Sequence, residues 1–181
     1  MVAKKLKSVY SAFATFSLFG KSVALSSVLL FIVLWSGVPR LHAAEFKGAW
    51  FAVWYPDGWA AVPSLASESH PGGVDSVFLR SPDGTVEFYV FSPLWSGEPR
   101  DISLDPATER LDSSKISESG GKRIKWYTIS ARSGAYTRSY QDTKRGSTRT
   151  VVGVKYHSKD AYEKHRSAYL QFKKSLRQLA D

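Results

Sequence analysis

Apolar and polar positions alternate along residues 76–91 and 123–156 in short runs separated by glycine- and proline-bearing breaks, a pattern of antiparallel strands. Residues 46–56, rich in aromatic and β-branched types, predict a first strand stopped by Pro56-Asp57-Gly58. Residues 76–80 and 86–91 predict a hairpin around Ser81-Pro82-Asp83-Gly84, where proline suits the first corner and glycine the last. Within the second of these strands Val86, Phe88 and Val90 face one way and Glu87, Tyr89 and Phe91 the other. Residues 92–114 hold three prolines and scattered acids and read as a long connection, with a short helix over 106–111. Three more strands are expected over 123–131, 135–141 and 148–156. The last is apolar enough at Val151-Val152-Gly153-Val154 to lie centrally, Gly153 marking close approach to a helix or a neighbouring backbone. Ser158 is an N-cap for a closing helix in which Tyr162, Tyr169, Phe172, Leu176 and Leu179 recur at helical spacing. An apolar helix stripe needs a surface to cover and a sheet supplies it, so the fold class is α+β.

The first 43 residues follow another pattern. Lys4, Lys5, Lys7 and Lys21 precede an uncharged run over 23–38, and Pro39-Arg40-Leu41-His42-Ala43-Ala44 follows. A basic start, an apolar middle and a small residue at the exit make residues 1–43 an export signal peptide cleaved after Ala43, leaving one domain over 44–181. The run is 16 residues long, short of the about 20 that span a bilayer. Retention as an uncleaved anchor is the alternative. With the lysines held on the cytoplasmic side, the folded part is expected outside the cytoplasm, in the periplasm or anchored to the inner membrane and facing it. Membrane contact then runs through the N-terminal segment, before cleavage or if it is uncleaved. The chain has no cysteine, which removes lipid modification at a lipobox, disulfides and thiol chemistry from consideration.

Charge changes meaning once the leader is set aside. Five of the 25 lysines and arginines belong to it, so residues 44–181 carry 20 basic against 16 acidic residues, a net +4 in place of +9. The high isoelectric point is largely a property of the leader and does not argue for nucleic acid.

The aromatic strand Phe51-Ala52-Val53-Trp54-Tyr55 running into Pro56-Asp57-Gly58-Trp59, the strand Val86-Glu87-Phe88-Tyr89-Val90 and the closing helix with Tyr169, Phe172 and Ser175-Leu176 resemble the Mog1/PsbP-like family. The resemblance implies an antiparallel sheet flanked by helices and closed by the C-terminal amphipathic helix. It also implies non-enzymatic accessory roles, since members include lumenal accessory proteins of photosystem II, a nuclear-transport cofactor and exported bacterial proteins of unknown role. The nuclear role conflicts with the leader, and no family functional residue maps onto this chain.

Chemistry-bearing residues are sparse in pattern. His42, His70, His157 and His165 form no ligand-spaced cluster, so no metal site is assigned. No serine sits in a nucleophile elbow, and the glycines form no phosphate loop. Asp101 and Asp105 lie in a polar, proline-bearing connection and read as solvated. No catalytic residue and no cofactor is assigned. A small-molecule-binding or hydrolytic domain, using a groove beside residues 92–114, is kept as an alternative, as is a membrane-anchored structural protein.

Residues 115–149 stand out, with nine basic residues against Glu118 and Asp142 and with Trp126, Tyr127, Tyr136 and Tyr140 interleaved. Alternation places Ile124, Trp126 and Thr128 inward and leaves Lys125 and Tyr127 outward. Arg138 shares its parity with Tyr136 and Tyr140, which gives an exposed Arg–Tyr face; a solvated sheet edge over core aromatics is the plainer reading. Residues 98–112 are acidic, with five acids against Arg100 and Arg110, so the domain reads as bipolar. Trp54 and Trp59 read as core, and Trp95, in a Pro/Gly loop, as a partner anchor or a pocket cap. The expected function is an exported accessory domain that binds a protein or an anionic envelope component, not nucleic acid, through Lys125, Tyr127, Arg138, Tyr140 and Trp95.

Overall fold

A computed structural model describes residues 43–95 and 97–179. The leader, its apolar run and the residues up to His42 lie outside the described residues. No described helix is long and apolar enough to cross a membrane.

Ten strands and one α-helix make up the described part. They are β1 (Ala43–Lys47), β2 (Phe51–Pro56), β3 (Ala60–Pro63), β4 (Ser76–Arg80), β5 (Val86–Phe91), β6 (Glu109–Ser119), β7 (Lys122–Ala131), β8 (Thr137–Arg145), β9 (Thr148–Tyr156), α1 (Lys159–Ser175) and β10 (Arg177–Gln178). All pairings are antiparallel, in a three-stranded sheet of order β1-β2-β10 and an open seven-stranded sheet of order β3-β4-β5-β9-β8-β7-β6. The α+β class and the closing helix are as expected from the sequence. Ser158 accepts a hydrogen bond from the Ala161 N–H through its side chain, the predicted cap.

Several segments differ from the reading of the sequence: the strand read over 135–141 runs Thr137–Arg145, the helix stripe read through Leu179 ends at Ser175, and the short strands β3 and β10 have no counterpart in it. Residues 46–56 are not one strand, because the chain reverses at Gly48-Ala49-Trp50 and Gly48 N–H donates to Phe51 O at 2.9 Å, so β1 folds back on β2. No helix forms over 106–111. Asp105 accepts from Ala107 N–H at 3.0 Å and from Thr108 Oγ1 at 2.7 Å, tying off a turn, and Glu109 then begins β6 at the sheet edge. The connection carries a 3-10 turn at Arg100–Ile102 instead, so the sheet has a single α-helical cover among the described residues.

The main core lies on one face of the large sheet. Val77, Leu79, Val86, Phe88, Val90, Val152 and Val154 meet Phe51 and Val53 of β2 and Tyr169 and Phe172 of α1. Phe88 sits at the centre, its ring 4.5 Å from Trp59 and 5.2 Å from Phe172. Burying a phenylalanine side chain contributes about 2–3 kcal/mol. The helix packs on β2, β5 and β9, so β6, β7 and β8 extend past its cover. On the opposite face a second cluster joins Tyr89, Phe91, Ile102, Tyr140 and Val151. There the ring of Tyr140 lies across Gly153, whose absent Cβ would sit 2.1 Å from Tyr140 Cδ1. Close approach at Gly153 was expected; the neighbour is an aromatic ring on the face away from α1.

Candidate functional site

The five residues singled out from the sequence do not form one surface. Arg138 is 7% exposed and Tyr140 6%, so the expected exposed Arg–Tyr face is not present. The reason is local. Glu109 opens β6, two strands away, and the Arg138 guanidinium turns to meet it, with Nε on Oε1 at 2.8 Å and Nη2 on Oε2 at 2.5 Å. Its remaining donors go to Ile102 O at 2.8 Å, Ser103 O at 3.0 Å and the Tyr140 hydroxyl at 3.2 Å. Glu109 also accepts from Tyr136 OH at 2.8 Å and Asp105 N–H at 3.0 Å. Burial pushes the Glu109 carboxyl up, but Arg138, the Asp105 amide and Tyr136 together hold it below the ordinary value. Tyr140 is pushed up to about 12, chiefly by burial. It stacks on Tyr127 with ring centroids 5.2 Å apart.

Arg149 repeats the arrangement at the other end of the sheet. It binds Asp142 at 2.7 Å and Glu98 at 2.8 Å and donates to Gly97 O. The bipolar charge seen in the sequence is thus partly cancelled inside the fold, because Arg138 and Arg149 are paired with Glu109 and Glu98 of the acidic connection. What they do is fasten that connection to the sheet.

The parity expected for β7 is inverted in part. Tyr127 shares its side with buried Ile129 and lies against Tyr140, whereas Trp126 is 37% exposed on the side that α1 leaves open. Lys125 is half-buried with Nζ 5.1 Å from the Tyr127 ring centroid. Trp95 is 57% exposed and lines a separate cleft. Trp59 is core, but Trp54 is exposed and donates its indole N–H to Glu45 at 3.1 Å.

Several cations without an ion pair among the described residues lie where β6–β9 turn. Lys122 is registered opposite Arg145, Arg123 opposite Lys144, and Lys144 opposite Arg149. Gly120 and Gly121, with φ of 56° and 73°, make the tight turn that lets β6 and β7 continue to this end. Arg123 is bound by Glu118 at 2.9 Å. Lys115, Lys122, Lys125, Lys144 and Arg145 have no carboxylate within ion-pair distance among the described residues. Like charges directly across a ladder destabilise it by about 0.2–1 kcal/mol per pair. A groove of about 430 Å³ runs between α1 and the open face of β6–β8, with Lys115, Trp126, Gln141, Tyr162 and Lys173 among its walls.

Among the described residues, Ser76 and Asp101 do not form an accessible nucleophile–base pair. Ser76 Oγ donates to Asp101 at 2.7 Å, but Ser76 is fully buried and also accepts from Leu65 N–H. Asp101 takes a second bond from Tyr89 OH at 2.7 Å. The cleft beside it, lined by Asp105, Glu109 and Arg138, has no histidine among its described residues. His165 packs edge-on to Trp59 at 5.3 Å, and His70 edge-on to Trp50 at 5.6 Å. No group of three or more His, Asp or Glu able to hold a metal ion occurs among the described residues.

No family model matches the chain, and no curated protein is found to match it. Among solved structures it is similar to the solution structure of cyanobacterial PsbP (CyanoP) from Synechocystis sp. PCC 6803, at 13% identity, covering 78% of this chain and 95% of that one, with a TM-score of 0.46.

Proposed function

We propose that the protein is an exported, non-catalytic accessory domain that docks an anionic envelope component, an acidic protein face or acidic polymer, on the basic end of β6–β9. The observation that carries this reading is the register. Lys122 against Arg145 places like charges face to face across β7 and β8, neither with a carboxylate within ion-pair distance among the described residues, at a cost to the ladder that an anionic partner offsets. Trp126, beside Lys115 in the register, adds an exposed aromatic surface at the edge of the same groove. Export is supported by the leader, and by the position of its expected junction. Cleavage after Ala43 removes one residue of β1 and leaves Ala44–Lys47 paired with β2.

Three of the residues first singled out, Arg138, Tyr140 and Trp95, are left out of this docking surface, and Lys122, Lys144 and Arg145 take their place. The test is binding to poly-L-glutamate by the native protein and by Lys122→Glu/Arg145→Glu. Expected are an affinity that falls steeply as salt shortens the screening length from about 10 Å at 0.1 M to about 3 Å at 1 M, and loss of binding in the double variant. Binding that ignores both salt and charge reversal refutes the proposal.

A further inference from the structure

Just before β4 a carboxylate is buried without a donor for one of its oxygens. Asp75 is 7% exposed. Its backbone is fixed, the N–H donating to Leu65 O at 2.8 Å and the carbonyl accepting from Ser92 N–H at 2.9 Å. The side chain lines a cleft with Leu65, Glu68, Pro93, Trp95 and Arg100, and there Oδ1 has no hydrogen-bond partner among the described residues. Burial pushes the carboxyl up; Ser67 draws it down, and the nearby charge of Glu68 adds to the rise. A carboxylate kept from water and short of a donor is destabilising unless something supplies one.

Asp75 lines a cleft of about 530 Å³, within the range of small-ligand sites. Leu65, Phe91, Pro93 and Trp95 give it apolar walls, and Glu68, Glu98 and Arg100 complete its charged lining. Glu98 is already engaged by Arg149, which leaves Glu68 and Asp75 facing a single Arg100. An anionic ligand would meet two carboxylates against one guanidinium, a net negative lining. A neutral apolar ligand would leave Asp75 Oδ1 as it is. A cation on an apolar stem satisfies the carboxylate by a charge-assisted hydrogen bond, and it finds in the exposed Trp95 indole a π face of the kind that attracts ammonium and guanidinium groups.

We propose that this cleft takes an organic cation, an alkylammonium or guanidinium group, with Asp75 as counter-ion and Trp95 as the stacking face. The site asks for the opposite charge to the basic end of β6–β9, so it stands or falls separately from the docking reading.

The probes are n-butylammonium and methylguanidinium, titrated into the full chain while the indole N–H resonance of Trp95, assigned by Trp95→Phe, is followed by NMR. Saturable binding near about 1 mM is expected. Asp75→Asn should weaken it by about tenfold or more, and Trp95→Ala by about fivefold. The Asn variant keeps the side-chain volume and removes a buried charge, so its melting temperature should be no lower than native; lost binding is then not lost folding. A capped Gly-Gly-Arg-Gly-Gly peptide and its citrulline counterpart separate the two sources of the cation. Preference for the arginine peptide over methylguanidinium marks a partner's side chain, and equal affinity marks a small amine. Undiminished binding by Asp75→Asn overturns the proposal, as does no response of Trp95 up to about 50 mM probe. So does a lowered melting temperature of Arg100→Gln, which would show Arg100 already serving as the counter-ion.

Discussion

Replacing Arg138 by methionine tests whether this residue belongs to the fold or to a docking surface. Methionine keeps much of the aliphatic stem and removes the guanidinium, leaving Glu109, 4% exposed, with only Tyr136 OH and the Asp105 amide as donors. The carbonyls of Ile102 and Ser103 lose their donors as well. Breaking a buried pair from one side costs about 3–5 kcal/mol, which lowers the melting temperature by roughly 10–15 °C in a domain of this size. Arg138→Met/Glu109→Leu removes both charges together and should recover most of that loss, the signature of a desolvated pair in a double-mutant cycle. The acid limb gives an independent reading. Glu109 in the native fold titrates below its ordinary value, so the unfolded chain binds the proton more readily, and the stability from the pair is complete above that ordinary value. It is lost as pH falls through the lower, folded value. In Arg138→Met burial acts on Glu109 without its guanidinium, the folded value rises above the unfolded one, and stability should increase on acidification over the same window. Urea unfolding from pH 3 to pH 7 reads both signs. A loss under about 1 kcal/mol, or an acid limb of unchanged sign, refutes the burial argument and returns Arg138 to the surface.

Three further outcomes follow from the register and the packing. Lys122→Glu places an acid opposite Arg145 and should stabilise the domain by about 0.5 kcal/mol while weakening polyanion binding; equilibrium unfolding and a binding isotherm on one sample must move in opposite senses. Gly153→Ala puts a methyl carbon 2.1 Å from the Tyr140 ring and should cost about 1–3 kcal/mol, with Tyr140→Ala partly rescuing it because the two residues share one space; a purely additive pair contradicts the overlap. Ser158→Ala removes the acceptor of the Ala161 N–H at the start of α1 and should cost about 1 kcal/mol in a denaturant titration.

The strands legible in the sequence are those that carry the core. Bounds read for β4, β5 and β9 coincide with the structure, because each is flanked by a turn signal and alternates strongly enough to mark a buried face. β6 left no such mark. Beyond Glu109 every one of its residues is exposed, so it has no buried face to impose a period, and its polar composition reads as a loop. Only pairing with β7 makes it a strand. The site was misread for a related reason. Alternation along β7 points Ile124, Trp126 and Thr128 inward, as they would be if the buried face stayed the same across the whole sheet. The helix ends its cover at β9, and beyond it the buried side of the sheet is the one sealed by Ile102 and the Arg138–Glu109 pair. A change of covered face part-way along a sheet is a tertiary fact, and alternation within one strand does not contain it.

The same limit explains why a count of basic residues over 115–149 could not separate its two uses. Arg138 and Arg149 point into the side of the sheet where the acidic connection crosses, and each meets a carboxylate there. Lys122 and Arg145 lie opposite one another at the ends of β7 and β8, with no carboxylate within ion-pair distance among the described residues. Arginine suits the first setting because its planar fork fills several buried acceptors at once, and both fully engaged cations are arginines. Lysine suits the second, where a hydrated, mobile charge can meet partners of varied geometry, and Lys115, Lys122 and Lys125 on β6 and β7 have no carboxylate within ion-pair distance among the described residues. A lysine at position 138 would therefore keep the charge yet leave the Ile102 and Ser103 carbonyls underbonded, and it should loosen the 100–109 segment without altering polyanion binding. Hydrogen exchange across that segment in Arg138→Lys decides it: protection equal to native would mean that charge alone, and not the geometry of the fork, holds the connection to the sheet.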